Sequence, residues 1–215
     1  MKTLILYFSY SNNTKNLVEK VNKEFNFDVA RIERAVPYSD DYNTCAYGEA
    51  KDEYDQDKIK AIGVSNLGPD RLVDICRFAR TKPMVNQIET NPFNAQKAAH
   101  KWLTKYNVVH EAWAPLGEKR NGLFDNETLD KIAKSHNKTV AQVILRWELQ
   151  NDVVVIPKST HKERMQENFN ILDFKLTDNE MKQIDDLDTN ASLFFSHYDP
   201  KMVEWFADMV KPLDK

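Results

Sequence analysis

The stretch "TVAQVILRWELQNDVVVIPKST" (Thr139–Thr160) joins two hydrophobic periods in twenty-two residues. Val140, Val143, Ile144 and Trp147 recur at three- and four-residue steps, which predicts an amphipathic helix. Four β-branched residues follow at once, Val153 to Ile156, and Pro157 ends them because it has no N–H for a ladder. A helix feeding a short apolar strand is the repeating unit of a parallel α/β fold.

The same unit recurs upstream. Apolar β-rich runs predict strands at 3–8, 28–33, 59–65, 84–89, 108–113 and 153–157. Between them, "TKNLVEKVNKEF" gathers Leu17, Val18, Val21 and Phe25 on one helical face, and "PDRLVDICRFAR" gathers Leu72, Ile75, Cys76 and Ala79. The fold class expected is α/β, with parallel strands alternating with helices in about six βα units. A closed (β/α)8 barrel needs about eight, so the barrel would be incomplete. Residues 38–58 are acidic and Tyr-rich, and read as a loop, an exposed helix and a candidate junction.

Composition narrows the function classes. Thirty basic residues against 33 acidic, net −3, leave no basic stripe for a nucleic acid. No segment has the roughly 20 apolar residues of a membrane span. The leading "MKTLILYFSYSNN" reads as a buried strand rather than a signal peptide. Cys45 and Cys76 have no metal or redox spacing, so a reduced cytoplasmic protein is expected.

The end of the opening stretch carries chemistry. Thr160 and Glu163 form a T-x-x-E capping box, which predicts a helix from near His161. Lys158 and Ser159 precede it and Arg164 lies in its first turns. Two cations, a hydroxyl and the open amides of a helix start suit a phosphate. On spacing alone they also suit a capped helix with solvated charges.

"GVSN", "NQIE", "AWAPLG", "NGLF", "QVILRW", "IPKS" and "ERMQENF", in this order, resemble the aldo-keto reductases, and "LDTNASLFFSHYDPKMVEWF" resembles the C-terminal tail of bacterial members acting on small carbonyls and diketo-sugar acids. The resemblance covers 57 to about 210. It implies an incomplete TIM barrel and an NADPH-dependent reductase of a small carbonyl compound. By it, Lys158, Ser159 and Arg164 would grip the 2′-phosphate of NADP, and Glu167 and Asn168 would contact the adenine. Ser65, Asn66 and Gln87 would bond the nicotinamide carboxamide, Trp113 would stack on its ring, and Leu116 would meet the pyrophosphate.

The family's Tyr acid and its Lys, Asp and His partners lie in the first four βα units, before the matched region. No catalytic residue is therefore assigned, and a catalytically silent NADP(H)-binding fusion or truncated protein is the alternative. Asp41 and Tyr47 sit one residue out of register for the family's acid segment, and His110 reads as a packed or rim histidine rather than an acid.

The first 56 residues read as a second domain. "YFSYSNNTK" resembles the phosphate loop of flavodoxin-like proteins, which implies an FMN phosphate near Ser9, Ser11, Asn12, Asn13 and Thr14. The loops that would sandwich the flavin ring have no counterpart, which argues against FMN. A flavodoxin-like βαβ start joined near Asp55–Lys58 to a half-barrel would leave two exposed sheet edges, and with them a tendency to homo-oligomerise.

Overall fold

The computed structural model describes residues 4–7, 19, 23, 28–31 and 62–209. The chain divides into two compact units, one of residues 1–61 with 158–167, the other of 62–157 with 168–215. Ser9, Ser11, Asn12, Asn13, Thr14, Asp41 and Tyr47 lie outside the described residues.

In the first unit, β1 (Leu4–Tyr7) pairs in parallel with β2 (Asp28–Arg31), Leu4 opposite Asp28 and Tyr7 opposite Arg31. Parallel pairing of consecutive strands requires a crossover between them. Glu19 and Lys23, within that connection, are helical and exposed, four residues apart and off the predicted apolar face.

The second unit holds β3 (Gly63–Ser65), β4 (Val85–Glu89), β5 (Val109–Trp113) and β6 (Val154–Val155), all parallel, in the spatial order β3-β4-β5-β6. Between them come α1 (Pro69–Phe78), α2 (Lys97–Tyr106), α3 (Glu127–Ser135) and α4 (Val140–Gln150). After β6 the chain forms α5 (Lys162–Phe169), most of which belongs to the first unit, and then α6 (Asp178–Asp185) and α7 (Pro200–Met209) of the second. Spatial order follows chain order without reversal. Doubly wound sheets reverse at a switch point and barrels do not, so these are successive units of a partial (β/α)8 barrel.

Each element starts and stops for a local reason. Asn126 caps α3 by accepting from the amides of Thr128 and Leu129. Thr139 with Gln142, and Thr177 with Glu180, form capping boxes at α4 and α6. Strand β6 is shorter than predicted, because the Val153 amide turns back to the Glu148 carbonyl and Pro157 follows closely.

Sheet register sorts the side chains. Asn86, Ile88, His110 and Ala112 face the helices and are buried. Ile88 packs there with Leu72, Ala99, Leu103 and Val108. A larger core joins α3, α4 and α6 through Leu129, Ile132, Val143, Ile144, Trp147, Leu176 and Ile184. Trp147 Nε1 donates to Asp185 Oδ1 at 2.8 Å, satisfying the one polar atom of its buried ring. No helix among the described residues is long and apolar enough to cross a membrane.

Candidate nicotinamide site

The opposite face of the sheet carries Ser65, Gln87, Glu111, Glu89 and Trp113, because the register sets Ser65 beside Gln87, Gln87 beside Glu111, and Glu89 beside Trp113. At the ends of β3 and β5 these residues form one network. Ser65 Oγ donates to the Gln87 carbonyl and accepts from Asn66 Nδ2, both at 3.0 Å. Asn66 Oδ1 accepts from Trp113 Nε1 at 2.7 Å. Gln87 Nε2 donates to Glu111 Oε1. Asn66 has φ 57°, a left-handed conformation that Asn tolerates better than most residues and that turns its amide toward the neighbouring strands. The sequence-predicted Ser65, Asn66, Gln87 and Trp113 thus stand in direct or successive contact.

The network fits a carboxamide. Its donors and acceptors fix one another's direction, yet capacity remains on Gln87 Oε1 and on the second hydrogens of the Asn66 and Gln87 amides. Trp113 is half-buried. With its N–H held at one edge, the indole has few orientations left, which favours stacking of a flat ring.

Leu116 follows Trp113 in a loop of unusual backbone. Ala114, Gly117, Glu118, Lys119, Asn121 and Gly122 all have positive φ, between 48° and 68°. Non-glycine residues there store strain of about 1–2 kcal/mol each, a pattern that clusters at functional loops. The Leu116 carbonyl accepts from the Lys119 amide at 3.1 Å. Arg120 lies over the Phe194 ring at 4.4 Å.

Three residues were missed in the sequence. Glu89 is only 4% exposed, and its carboxylate accepts from Asn91 Nδ2, Ser192 Oγ and the Leu193 amide. Phe194 and His197 approach Trp113 with ring centroids at 5.1 and 6.1 Å. A cleft of about 550 Å³ opens beside them, lined among others by Asn66, Glu89, Asn94, Ser192, His197 and Tyr198. Burial pushes the His197 imidazole below its ordinary value, against the pull of the nearby Glu89 charge. Burial, with the Asp70 charge, raises the Tyr198 phenol.

His110 is on the other face and is a packed histidine, 2% exposed. Thr90 Oγ1 donates to the Ile88 carbonyl, so it accepts from His110 Nε2 at 2.8 Å. His110 Nδ1 is then left to accept from His100 Nδ1 at 3.0 Å.

The predicted phosphate turn belongs to the first unit. Ser159 is buried, and its Oγ accepts from the His161 amide at 3.1 Å. Helix α5 begins at Lys162. The hydroxyl that bonds the backbone of this turn is that of Ser159, and Thr160 is exposed. Lys158 and Arg164 are exposed, Glu167 and Asn168 half-buried.

A family model described as the aldo/keto reductase family matches residues 12–189. The chain belongs to the aldo/keto reductase family. The match begins inside the stretch that resembles flavodoxins. Among curated relatives, a 9,11-endoperoxide prostaglandin H2 reductase from Trypanosoma cruzi is 46% identical over 141 residues, 65% of this chain and 50% of that protein. A glyoxal reductase from Bacillus subtilis is 47% identical over 134 residues, 62% of this chain and 48% of its own. The chain spans about half the length of these relatives. The crystal structure of an aldo-keto reductase from a Medee basin deep-sea metagenome library superposes with TM-score 0.65 at 30% identity, covering 93% of this chain and 75% of the other. A mutant of Gox0644 in complex with NADPH gives 0.63 at 34% identity, covering 74% and 57%.

Proposed function

We propose that this aldo/keto reductase binds NADP(H) and presents the nicotinamide to a small carbonyl compound. The observation that carries the reading is the bond from Trp113 Nε1 to Asn66 Oδ1, which fixes an aromatic platform beside free amide capacity. Ser65, Asn66 and Gln87 would hold the carboxamide, Trp113 the ring and Leu116 the pyrophosphate. Lys158 and Arg164 would offer the charge-assisted donors that a 2′-phosphate requires, Ser159 would join them once its hydroxyl turns from the His161 carbonyl, and Glu167 and Asn168 would offer polar contacts for an adenine. The solved neighbour that holds NADPH and the relative named for glyoxal support cofactor and substrate size. Bound NADPH would supply the hydride that reduces a carbonyl carbon.

What this chain's own residues add is position. Asn66 and Gln87 orient the carboxamide, and Phe194 and His197 cover part of the Trp113 ring. Proton supply is the weak point. In the cleft, His197 has a lowered pKa and Tyr198 a raised one, so neither is a ready acid at neutral pH. Among the described residues, no lysine or arginine lines that cleft to draw the phenol down. Where the described residues supply no positioned acid, such steps slow by about 10²–10⁴-fold. This favours a second reading, cofactor binding with little turnover.

Parallel pairing of β1 and β2 supports a flavodoxin-like βαβ start, residues 1–56, followed in the chain by a half-barrel of 57–215. Self-association through the sheet is supported by Val154 and Ile156, 40% and 49% exposed on and just after β6.

The test is to follow NADPH oxidation with glyoxal or a simple aldehyde, alongside calorimetric NADPH binding. Binding with slow turnover is expected. Turnover at the rate of a complete family member would exclude the silent reading, and absence of binding would exclude both.

A further inference from the structure

Glu89 is a buried carboxylate whose hydrogen bonds run mainly to a segment more than one hundred residues away. Ser192 Oγ donates to Oε2, and the Leu193 amide donates to Oε1 at 2.8 Å. Ser192 Oγ in turn accepts from the amides of Phe194 and Phe195, each at 3.0 Å. The turn Ser192–Phe195 therefore hangs from one carboxylate. Leu193 is buried against Gly117, where an added Cβ would come within 2.8 Å of Leu193 Cδ1. Further back, Thr189 donates through its amide and its hydroxyl to the Phe93 carbonyl.

What the turn delivers is aromatic. Phe194 reaches Trp113, and His197 meets the same ring nearly edge-on at 74°. Phe195 packs against both His197 and Phe206, at 4.7 and 5.3 Å between centroids. Glu89 also sits directly beside Trp113 in the sheet register. Trp113 is held at its edge by Asn66 and packed by side chains whose backbone Glu89 fixes.

We propose that Glu89 is a positioning residue: through Ser192 and Leu193 it holds the tail Asn190–Tyr198 against Trp113 and so fixes the indole for its ligand. The proposal rests on the reading of Trp113 as the nicotinamide platform. Charge-assisted bonds to a desolvated carboxylate are stronger than neutral ones, and deleting the acceptor leaves Ser192 and Leu193 without their partner. The tail is then released while the core that holds Trp147 stays intact.

The experiment uses the full chain labelled with 5-fluorotryptophan. Its four tryptophans are assigned with Trp113→Phe and the corresponding single replacements. Glu89→Ala is compared with Ser192→Ala, which removes a partly exposed hydroxyl and leaves the packed interior alone. Both variants should raise amide exchange at Leu193 and Phe195 by about tenfold, the signature of one lost charge-assisted bond. Both should shift or broaden the Trp113 fluorine resonance and leave that of Trp147 in place. Both should raise the NADPH dissociation constant by a similar factor. Unchanged exchange at Leu193 would show that Glu89 does not hold the tail. Faster exchange with an unmoved Trp113 resonance would show that the tail does not position the ring. Either result overturns the proposal. A wild-type chain that ignores NADPH would count against the cofactor reading, and exchange and fluorine spectra would still decide the latch.

Discussion

Trp113 Nε1 donates to Asn66 Oδ1 at 2.7 Å, tying the end of β5 to the end of β3 across the intervening strand. The bond depends on a left-handed residue, since Asn66 has φ 57°. Two replacements separate its parts. Asn66→Gly keeps the backbone and loses the side-chain bonds, and should destabilise by about 1–2 kcal/mol. Asn66→Ala loses the bonds and adds backbone strain of about 1 kcal/mol. Urea unfolding should rank wild type above Gly above Ala. An Ala variant as stable as the Gly variant would remove strain from the account.

The His100–His110 pair predicts acid sensitivity. Burial first, then the charge of His100, holds His110 at about 4 against an ordinary 6.5. Between these values the unfolded chain takes up a proton that the folded one refuses. Stability from this group is therefore complete above about pH 6.5 and lost as pH falls toward 4. At about 1.36 kcal/mol per pH unit the loss is on the order of 3 kcal/mol. His110→Gln should flatten this part of the urea midpoint's pH profile, and an equal slope in the variant would assign the sensitivity elsewhere.

Glu148 predicts the opposite sign. It is fully buried, and neither carboxylate oxygen has a hydrogen-bond partner among the described residues. Burial pushes its pKa well above the ordinary 4.5. The unfolded chain ionises first as pH rises, so the folded state loses stability above about 4.5. Glu148→Leu should stabilise the protein by about 1–4 kcal/mol at neutral pH, with the gain shrinking toward pH 4. Thermal melts at pH 4 and 8 check this, and a destabilised variant at pH 8 would reveal a partner for the carboxylate.

These residues show how much the sequence could disclose. Strand positions were legible because β-branched runs alternate with helical periods, and the ends of β4 and β5 fell at Glu89 and Trp113 as expected. The Ser65–Asn66–Gln87–Trp113 group was legible by resemblance, though not its bonding. Glu89 left a signal that went unread: it lies two residues after Gln87 and must share its face. Its ties to Ser192 and Leu193 cross 103 and 104 residues, and no local pattern encodes such contacts. Glu148 left a signal too, four residues after Ile144 on the buried face of α4. At the phosphate turn, spacing favoured Thr160, whereas the hydroxyl that bonds the backbone is that of Ser159.

The central claim is that this chain retains a grip on NADP(H), with Arg164 among the groups that meet the extra phosphate. The most direct measurement is calorimetric titration of the wild type and of Arg164→Ala with NADPH and with NADH. The account predicts NADPH binding at least about tenfold tighter than NADH in the wild type, with the preference abolished by the substitution at little change in NADH affinity. Equal affinities in the wild type, or a preference that survives Arg164→Ala unchanged, would contradict it.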